Sequence, residues 1–481
     1  MPNQNSDKLS KPLIIFCLTM MLGMLAPGLD TTIVNVSVDT IAKDLGLQVD
    51  IAQLLVTAYV LCMGIAIPFA SWLVDKFHAR SLFIIIELVF GITCVICALV
   101  PNFALIMVCR LIQGFMAGCM SQLTQTSVMR ATKPSQRGRM MAILSVPMTV
   151  IPVFGPTIGG IIVNWLPWQF IFWVNVPICF VAALLGLKFI PLFTPLDNKR
   201  KLDVIGNSLL APAFALLLIG ITALQNSLLT SLIAILLGLA LLIIYSIYSI
   251  NSAKKGKDTV LNLTLLRIPT YTSSVVAVFF CGMLATGVLF ILPLFFQNDF
   301  GETPFMAGII LASQGFGIMA ARLISGILLD KIDARYIAST GVVLATLGTA
   351  IFIFEAFWSN YSIFLAVLAL IVRGAGQGCM FGTFTTTVYY GLTKKQIADG
   401  TTATRMMQQL GGSFGTAILA ICLQMMNNNF AITFAISTLT ALVVIFCVPF
   451  LKYMKNTNTL TKDDVAQEEQ EIQEDEEIEG I

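Results

Sequence analysis

Long apolar stretches separated by short polar segments run through most of this chain. About 20 apolar residues suffice for an α-helix to cross the roughly 30 Å hydrocarbon layer of a membrane. Fourteen stretches reach that length and predict fourteen membrane-spanning helices. In chain order they lie near residues 13–36, 51–73, 82–100, 103–125, 140–163, 168–190, 204–224, 229–250, 271–296, 305–328, 336–357, 360–386, 400–424 and 430–450.

Polar segments divide these helices into groups. "PLDNKRKLD" follows the sixth helix and "NSAKKGKD" the eighth, so helices seven and eight stand apart between two sets of six. Beyond residue 455 the chain is acidic and lacks aromatic residues, which is typical of disorder. We therefore predict a cytoplasmic N-terminus (1–12), an N-terminal six-helix bundle (13–190), a linker with two extra helices (191–257), a C-terminal six-helix bundle (258–452) and an acidic cytoplasmic tail (453–481).

The positions of lysine and arginine indicate the orientation, because cytoplasmic loops of membrane proteins carry an excess of both. With the N-terminus inside, the cytoplasmic segments hold 23 of the 28 Lys and Arg residues, and only Lys43 lies outside. An odd number of helices would spoil this asymmetry, so we predict that both termini are cytoplasmic. The four remaining cations lie within apolar stretches: Arg110, Arg322, Arg373 and Arg405.

The composition excludes several classes of protein. Hydrophobic residues make up 57% of the chain and charged residues 11%, against about 25% charged in soluble globular proteins. A single histidine, His78, and eleven scattered cysteines argue against a zinc site or a histidine-based active site. Without a G-x-x-x-x-G-K-[ST] stretch, an ATP-driven pump would need a partner chain. We expect a multi-pass membrane protein that is not an enzyme, needs no cofactor and binds no nucleic acid.

Two loops repeat each other. "DKFHAR" (75–80) follows the second helix and "DKIDAR" (330–335) the tenth, with four of six positions identical. Arg110 in the fourth helix is echoed by Arg373 in the twelfth, each with glycines behind it. Two related halves around a central axis suit a transporter whose binding site opens to each side of the membrane in turn.

Several further motifs follow one another along the chain: "LDTTIVNV" (29–36), "SWLVDKFHAR" (71–80), "RLIQGFMAG" (110–118), "VIPVFGPTIGG" (150–160), "WQFIFWVNVP" (168–177), "LDVIG" (202–206), "GILLDKIDAR" (326–335) and "RMMQQLGGSFGTA" (405–417). Their order and placement resemble the major facilitator superfamily, and within it the fourteen-helix drug/proton antiporters of bacteria. The resemblance implies an all-α membrane protein with two six-helix halves and two extra helices between them. It also implies export of lipophilic or cationic drugs across the bacterial cell membrane, driven by a proton gradient.

Asp30 interrupts the first apolar stretch, where a charged and unpaired carboxylate would cost several kcal/mol. At 1.5 Å per residue, Asp30 and Arg110 fall in the outer half of the membrane, within about one helical turn of each other in depth. We predict that they pair and that Asp30 couples transport to protons, because its pKa then depends on the nearby arginine. The resemblance supports both roles. The alternative is a static ion pair that holds the first and fourth helices together.

Two other acids lie within apolar stretches. Glu87, about one and a half turns inside the third helix, is expected to pair with basic loop residues such as Arg80 or to form a second proton or cation site. Glu355, near the outer end of the eleventh helix, is expected at an exposed rim.

The second half carries arginines without an obvious acid. Arg322 is expected to meet the cytoplasmic loop network near Asp330, and Arg405 to reach towards the cytoplasmic surface. The ninth helix offers no acid opposite Arg373, so the coupling site is predicted to be asymmetric.

The repeated loop is predicted to join the two halves by loop and helix-end contacts, and so to influence the rocking equilibrium without contacting substrate. Its candidate residues are Asp75, Arg80, Gly326, Asp330 and Arg335. The fifth helix is predicted to approach its neighbours closely and to bend, because small residues permit contact and proline removes a helix hydrogen bond. Its candidate residues are Pro152, Gly155, Pro156, Gly159 and Gly160.

A substrate cavity should be apolar with a few polar groups, and an aromatic and methionine lining would suit bulky lipophilic cations. The candidates are Met24, Gln113, Met148, Phe290, Pro293, Gln297, Gln314, Gln377 and Gln408, each of which also fits plain helix packing. We expect a monomer that interacts with its small-molecule substrate, protons and the lipid bilayer. Export of a lipid, amino acid or other metabolite on the same fold stays open, as does a membrane sensor that transports nothing.

Overall fold

The computed structural model describes residues 11–451, with gaps at 134–135, 138, 142, 145–154, 156–157, 164, 193–201, 225–226, 255–258, 303, 330–331, 359–361, 394–395 and 427–428. Its ordered elements are helices, and none of the described residues lies in a β-strand. The helices are α1 (Lys11–Gly23), α2 (Leu25–Asp44), α3 (Val49–Lys76), α4 (Ala79–Leu99), α5 (Phe103–Ala131), α6 (Phe170–Trp173), α7 (Asn175–Phe189), α8 (Val204–Ala223), α9 (Leu228–Lys254), α10 (Pro269–Asn298), α11 (Pro304–Leu329), α12 (Ala334–Trp358), α13 (Ile363–Thr387), α14 (Ile397–Met425) and α15 (Phe430–Val443). Two 3₁₀ segments, Leu263–Arg267 and Val444–Phe450, adjoin α10 and α15.

Thirteen of the predicted spans have a counterpart in this structure. Among the described residues, thirteen helical segments are long and apolar enough to cross a membrane, and each overlaps one predicted stretch. The one remaining stretch, 140–163, is the fifth in chain order, and more than half of it lies outside the described residues. The all-α class is confirmed, whereas the number of fourteen spans and the cytoplasmic placement of both termini stay predictions.

The first and sixth spans are each interrupted part-way. The first consists of α1 and α2, which meet at Met24, and the sixth of α6 and α7, which meet at Val174. Pro27 and Pro177 follow these junctions by three residues. A proline has no N–H for the carbonyl four residues earlier, so the helical hydrogen bonding fails there. Both interruptions therefore follow from the positions of proline.

Glycines bring two pairs of helices into backbone contact. A Cβ on Gly114 of α5 would lie 2.3 Å from the carbonyl oxygen of Tyr59 on α3. A Cβ on Gly374 of α13 would lie 2.3 Å from the carbonyl oxygen of Gln314 on α11. The same relation recurs four residues further along α5 and α13, at a second glycine in each. The α3–α5 pair thus matches the α11–α13 pair, with Gly114 equivalent to Gly374.

The two halves pack against each other at one end of the bundle, where Phe77 and His78 connect α3 to α4. We call it the loop end. There Gln122 Nε2 of α5 donates to the carbonyl oxygen of Ala398 at 3.0 Å and to Thr402 Oγ1 at 2.9 Å, both on α14. One buried apolar cluster at this end combines residues of both halves. Towards the opposite end each half has an apolar cluster of its own.

The two inserted helices, α8 and α9, bridge the halves. They pack against each other and share an apolar cluster with α3 and α14, which contains Ile67, Phe214 and Met406. Tyr245 of α9 anchors the segment after it, because its hydroxyl donates to the carbonyl oxygen of Leu261 at 3.0 Å and accepts from the Leu261 N–H at 2.8 Å. The insertion is therefore an integral part of the bundle.

Candidate functional site

Asp30 and Arg110 form an ion pair inside the first half of the bundle. Arg110 Nη1 donates to Asp30 Oδ2, and both side chains are completely buried. Asp30 lies on α2 and Arg110 on α5, so the pair connects the first and fourth spans. Desolvation costs several kcal/mol per ion, which close pairing offsets. The structure brings the two predicted partners together, and their role in proton coupling stays a prediction.

Asn175 is a third member of this cluster, which the sequence analysis did not single out. Its Nδ2 donates to Asp30 Oδ1 at 3.3 Å, and its side chain is completely buried. Asn175 is the first residue of α7, directly after the interruption at Val174. A signal was present in the sequence, because "VNVP" places an amide beside a proline within an apolar stretch.

Uncharged groups hold the rest of the Arg110 guanidinium. Its Nε donates to the carbonyl oxygen of Leu55 at 3.2 Å, and its Nη1 to Gln113 Oε1 at 3.0 Å. The guanidinium carbon lies 4.3 Å from the centre of the Tyr59 ring, a cation–π arrangement. The Nη2 atom has no hydrogen-bond partner among the described residues. Arg110 is thus held in position by contacts that do not depend on the charge of Asp30.

The turn that carries Asp30 is fixed by a neighbouring helix. The hydroxyl of Tyr59 on α3 donates to the carbonyl oxygen of Pro27 at 2.9 Å, and Thr31 Oγ1 donates to the same oxygen at 2.8 Å. Tyr59 therefore contacts both the arginine and the backbone next to the acid.

Arg373 in the second half is structurally equivalent to Gln113 in the first half. The predicted equivalence of Arg373 with Arg110 is therefore wrong. The residue before Gly114 is Gln113, and the residue before Gly374 is Arg373. Their contacts correspond as well: Gln113 Nε2 donates to Cys94 Sγ of α4 at 3.3 Å, and Arg373 Nε to Thr349 Oγ1 of α12 at 3.2 Å.

The first half has an acid paired with its buried arginine and the second half does not, which follows from the equivalence of Arg373 with Gln113. Arg373 Nη2 donates to the carbonyl oxygen of Leu284 at 3.1 Å, and no carboxylate bonds to Arg373 within the described part of the chain. Gln314 and Gln377 pair beside it, with Gln314 Nε2 donating to Gln377 Oε1 at 2.9 Å. The second half therefore holds a buried cation on neutral partners, with a pair of amides beside it.

The two arginines of the repeated loop make the same contact in each half. Arg80 Nε, on the first turn of α4, donates to the carbonyl oxygen of Ile190 at the end of α7, at 2.5 Å. Arg335 Nε, on the first turn of α12, donates to the carbonyl oxygen of Leu451 beyond the last 3₁₀ segment, at 2.7 Å. Each arginine stabilises carbonyl groups that a helix end leaves unpaired.

The remaining loop-motif residues are placed as follows. Asp75, near the end of α3, pairs with Arg130 of α5, whose Nη2 donates to Asp75 Oδ1. Gly326 is buried in the last turn of α11, and Asp330 lies outside the described residues. These contacts connect helix ends, and the predicted joining of the two halves by the repeated loop stays a prediction.

A sequence model described as Major Facilitator Superfamily matches residues 20–416 of this chain. The chain belongs to the major facilitator superfamily. Among its relatives is "Multidrug resistance protein B homolog" of Mycobacterium tuberculosis H37Rv, 28% identical over 429 residues, which span 88% of this chain and 78% of the relative. Another is "Uncharacterized MFS-type transporter YhcA" of Bacillus subtilis, 26% identical over 417 residues, 86% of this chain and 77% of the relative.

Solved structures show the same fold. The human organic anion transporter MFSD10 (TETRAN) superimposes with a TM-score of 0.64 at 15% identity, over 91% of this chain and all 100% of that one. The proton:xylose symporter XylE gives a TM-score of 0.65 at 14% identity, over 90% of this chain and 94% of its own. The facilitator fold is therefore confirmed, together with a small-molecule transporter family that spans the membrane.

Within this facilitator fold, Glu87 is buried and does not pair with Arg80, so that expectation is wrong. Arg80 bonds to the end of α7, while Glu87 lies two turns further along α4 with 1% of its surface exposed. A Cβ on Gly23, the last residue of α1, would lie 2.7 Å from Glu87 Oε1. The Cys179 thiol of α7 is adjacent, and neither carboxylate oxygen has a hydrogen-bond partner among the described residues.

Glu355 also departs from expectation. Glu355 is completely buried, and the backbone N–H of Ser362 at the start of α13 points to its Oε1 at 3.5 Å. A helix N-terminus favours a nearby acid, so Glu355 is not an exposed rim residue. Arg322 places its guanidinium carbon 4.6 Å from the centre of the Phe381 ring on α13. Its expected contact with the loop near Asp330 involves residues outside the described part of the chain and stays a prediction.

The fifth span contacts α2 directly after Asp30. A Cβ on Gly155 would lie 1.8 Å from Thr32 Oγ1, and one on Gly159 would lie 3.2 Å from the carbonyl oxygen of Ile33. Gly160 has open space on its Cβ side, and Pro152 and Pro156 lie outside the described residues. Two glycines of the predicted motif thus permit close packing on the helix that carries the acid.

The cavity candidates fall into three groups. Met24 is buried in the cluster that joins the halves, and Gln113, Gln314 and Gln377 are buried in hydrogen-bonded pairs. Phe290 is 41% exposed, and Pro293, Gln297 and Gln408 are half-buried. Met148 lies outside the described residues. In this conformation the three buried glutamines support charged or amide groups and do not line an open cavity.

Proposed function

We propose that this facilitator is a proton-coupled antiporter that exports lipophilic and cationic drugs by alternating access, with Asp30 as the coupling acid and Arg110 as its partner. One observation carries the proposal: a fully buried acid and a fully buried arginine form an ion pair inside the bundle, and a third helix contributes the buried Asn175 amide to the same acid. A relative with multidrug resistance in its name supports a drug as the substrate.

Protonation of Asp30 would change the contacts among three helices. The charged carboxylate accepts from Arg110 on α5 and from Asn175 on α7. A neutral acid holds both donors less strongly, because charge-assisted hydrogen bonds are about twice as strong as neutral ones. Arg110 keeps its contacts to Leu55, Gln113 and Tyr59, so α2 and α7 are the elements released. A cationic substrate would compete with the proton for the same negative charge.

The closed loop end sets the direction of the cycle. If the N-terminus is cytoplasmic, the loop end faces the cytoplasm and this conformation is closed on the cytoplasmic side. Protons would then reach Asp30 from outside and leave after the halves rock towards the opposite conformation. Gln122 and the cluster around it would form the contacts that break in that step.

Glu87 is proposed as a second proton-binding carboxyl on the same route. Glu87 and Cys94 lie seven residues apart on one face of α4, which is about 10 Å along the helix. Cys94 accepts from Gln113, which borders the Asp30–Arg110 pair. Glu87 therefore lies about two turns nearer the loop end than that pair. No cation neutralises it among the described residues, so the protonated form avoids the cost of a buried charge.

Transport in proteoliposomes tests the proposed function. Purified protein in vesicles with an imposed pH gradient should accumulate a lipophilic cationic dye against its concentration gradient. Collapsing the pH gradient with a protonophore should release the dye. Dye movement that is independent of the pH gradient would contradict proton coupling, and the absence of any dye movement would contradict drug export.

Asn175→Leu should shift the pH dependence of transport upwards. The amide donates to the charged form of Asp30, so its removal favours the protonated form. A hydrogen bond to a charged group contributes about 1.5–3 kcal/mol, which corresponds to a rise of about one to two pH units in the midpoint. Dye transport measured in vesicles between pH 5 and 9 checks this. An unchanged midpoint with a lowered maximal rate would indicate a packing role only.

Gln122→Leu should open the loop end more often. The side chain loses two hydrogen bonds across the halves, each about 0.5–1.5 kcal/mol, so the open population should rise about tenfold. Cys17, buried in the cluster between the halves, reports this through its labelling rate with N-ethylmaleimide, read by mass spectrometry. Cys281, buried in a cluster of the second half alone, is the internal control. Equal acceleration at both cysteines would indicate general loosening.

A further inference from the structure

Arg322 and Arg405 stand out among the charged residues of the spans. Neither guanidinium forms an ion pair or a hydrogen bond with any residue that the structure describes. Both side chains are half-buried, whereas Asp30, Glu87 and Arg110 are buried at 1% exposure or less. Their Nε atoms are shielded, so the accessible part of each is the end of the guanidinium.

The two arginines lie at similar depth on two helices of the second half. Arg405 is eight residues from the start of α14 and Arg322 seven from the end of α11, which places both about 10–12 Å from the loop end. The charge of Arg405 acts on Arg322, so the two cations repel each other. Charged groups at this depth face a bundle interior or a water-filled space and not lipid, because lipid cannot solvate them.

The surroundings of these arginines offer contacts for an organic molecule. The Phe381 ring lies beneath the Arg322 guanidinium at 4.6 Å. Gln408 is half-buried and lies three residues after Arg405, on the same face of α14. The second half thus presents two unpaired guanidinium groups and an amide, while the buried Phe381 ring holds Arg322 in position.

We propose that Arg322 and Arg405 bind an anionic group, a carboxylate or a sulfonate, of the molecule that this protein exports. Arginine binds such groups through paired N–H donors, and an anion between the two cations removes their repulsion. Asp30 already has a cationic partner, so the charge that remains available to a ligand in this conformation is positive. The substrates then include lipophilic zwitterions and anions in addition to cations.

This inference rests on the proposed function, because the ligand is taken to be the exported drug, but binding needs no proton gradient. Rhodamine B, which carries a free carboxylate, and its ethyl ester, which does not, form a matched pair of probes. Equilibrium dialysis against purified protein in detergent should show tighter binding of rhodamine B. Arg405→Gln and Arg322→Gln should each weaken rhodamine B binding about tenfold and leave ester binding within about twofold.

Matched variants separate charge from structure. Arg405→Lys keeps the charge and should retain most of the rhodamine B binding. Arg267→Gln removes an exposed arginine from the 3₁₀ segment before α10 and should change neither dye. The proposal is overturned if the unaltered protein does not bind rhodamine B, if the glutamine variants lose both dyes equally, or if they lose neither.

A comparison with Asp30→Asn distinguishes this inference from the proposed function. If proton coupling is right and the anion site is wrong, Asp30→Asn abolishes gradient-driven transport while both dyes bind the unaltered protein alike. If the anion site is right and proton coupling is wrong, the arginine variants lose binding of rhodamine B but not of its ester, while transport does not depend on the pH gradient.

Discussion

Asp30→Asn is expected to abolish accumulation of drug against a concentration gradient. One proton per cycle across a gradient of two pH units supports about a 100-fold concentration ratio, because each pH unit corresponds to about 1.36 kcal/mol. Asparagine keeps the size of the side chain and its single oxygen can accept from Arg110, while its amide nitrogen can donate to the oxygen of a turned Asn175 amide, but it takes up no proton. The accumulation ratio in proteoliposomes should therefore fall from about 100 to about 1.

The control for this variant is Asp299→Asn, which removes an exposed carboxylate just after α10. It should transport like the unaltered protein. Exchange of dye down its own gradient should persist in Asp30→Asn, which would show that the binding site is intact. Normal gradient-driven accumulation by Asp30→Asn would assign proton coupling to another residue, with Glu87 the next to replace.

Arg110→Met is expected to destabilise the protein by about 3–5 kcal/mol, because it leaves the buried Asp30 carboxylate without its cation. The double variant Asp30→Asn/Arg110→Met removes both charges and should recover most of that loss. Unfolding in detergent can be followed with a thiol-reactive dye, since eight of the eleven cysteines are buried.

This double variant also decides between the two roles considered for the pair. A static ion pair that only joins α2 and α5 would let the stable double variant transport with normal gradient dependence. A coupling pair predicts that the double variant folds and yet does not accumulate drug. Failure of the second substitution to restore stability would mean that Arg110 matters through its contacts to Leu55, Gln113 and Tyr59 instead.

The correction at Arg373 shows where matching by sequence failed. Both Arg110 and Arg373 precede glycines, and the similarity of "RLIQG" to "RGAGQG" aligns them. Close packing decides otherwise, because Gly114 and Gly374 meet equivalent backbone positions on α3 and α11. The true equivalent of Arg110 is therefore Leu370, four residues before Gly374. A helix turns about 100° per residue, so a shift of three residues moves a side chain by almost one turn along the axis.

The contacts of Asn175, Glu87 and Glu355 could not be predicted from the sequence, for a different reason. Spacing along one helix gives the depth of a residue but not the direction in which its side chain points. Glu87 lies against Gly23 of α1, and Glu355 against the start of α13, contacts that arise only when separate helices pack. Asn175 reaches Asp30 because α7 packs against α2.

The amino-acid sequence by itself determined the membrane-spanning segments and the family, because a span needs about 20 apolar residues and such stretches are local features. It also determined that Asp30 and Arg110 share a depth, since a helix rises by a constant 1.5 Å per residue. Only the tertiary structure showed that Asn175 donates to Asp30 and that Arg373 is equivalent to Gln113. It also showed that the guanidinium groups of Arg322 and Arg405 have no hydrogen-bond partner among the described residues. Partners depend on which helix faces meet, and in lipid those faces are chosen by close packing of small residues and not by the apolar pattern.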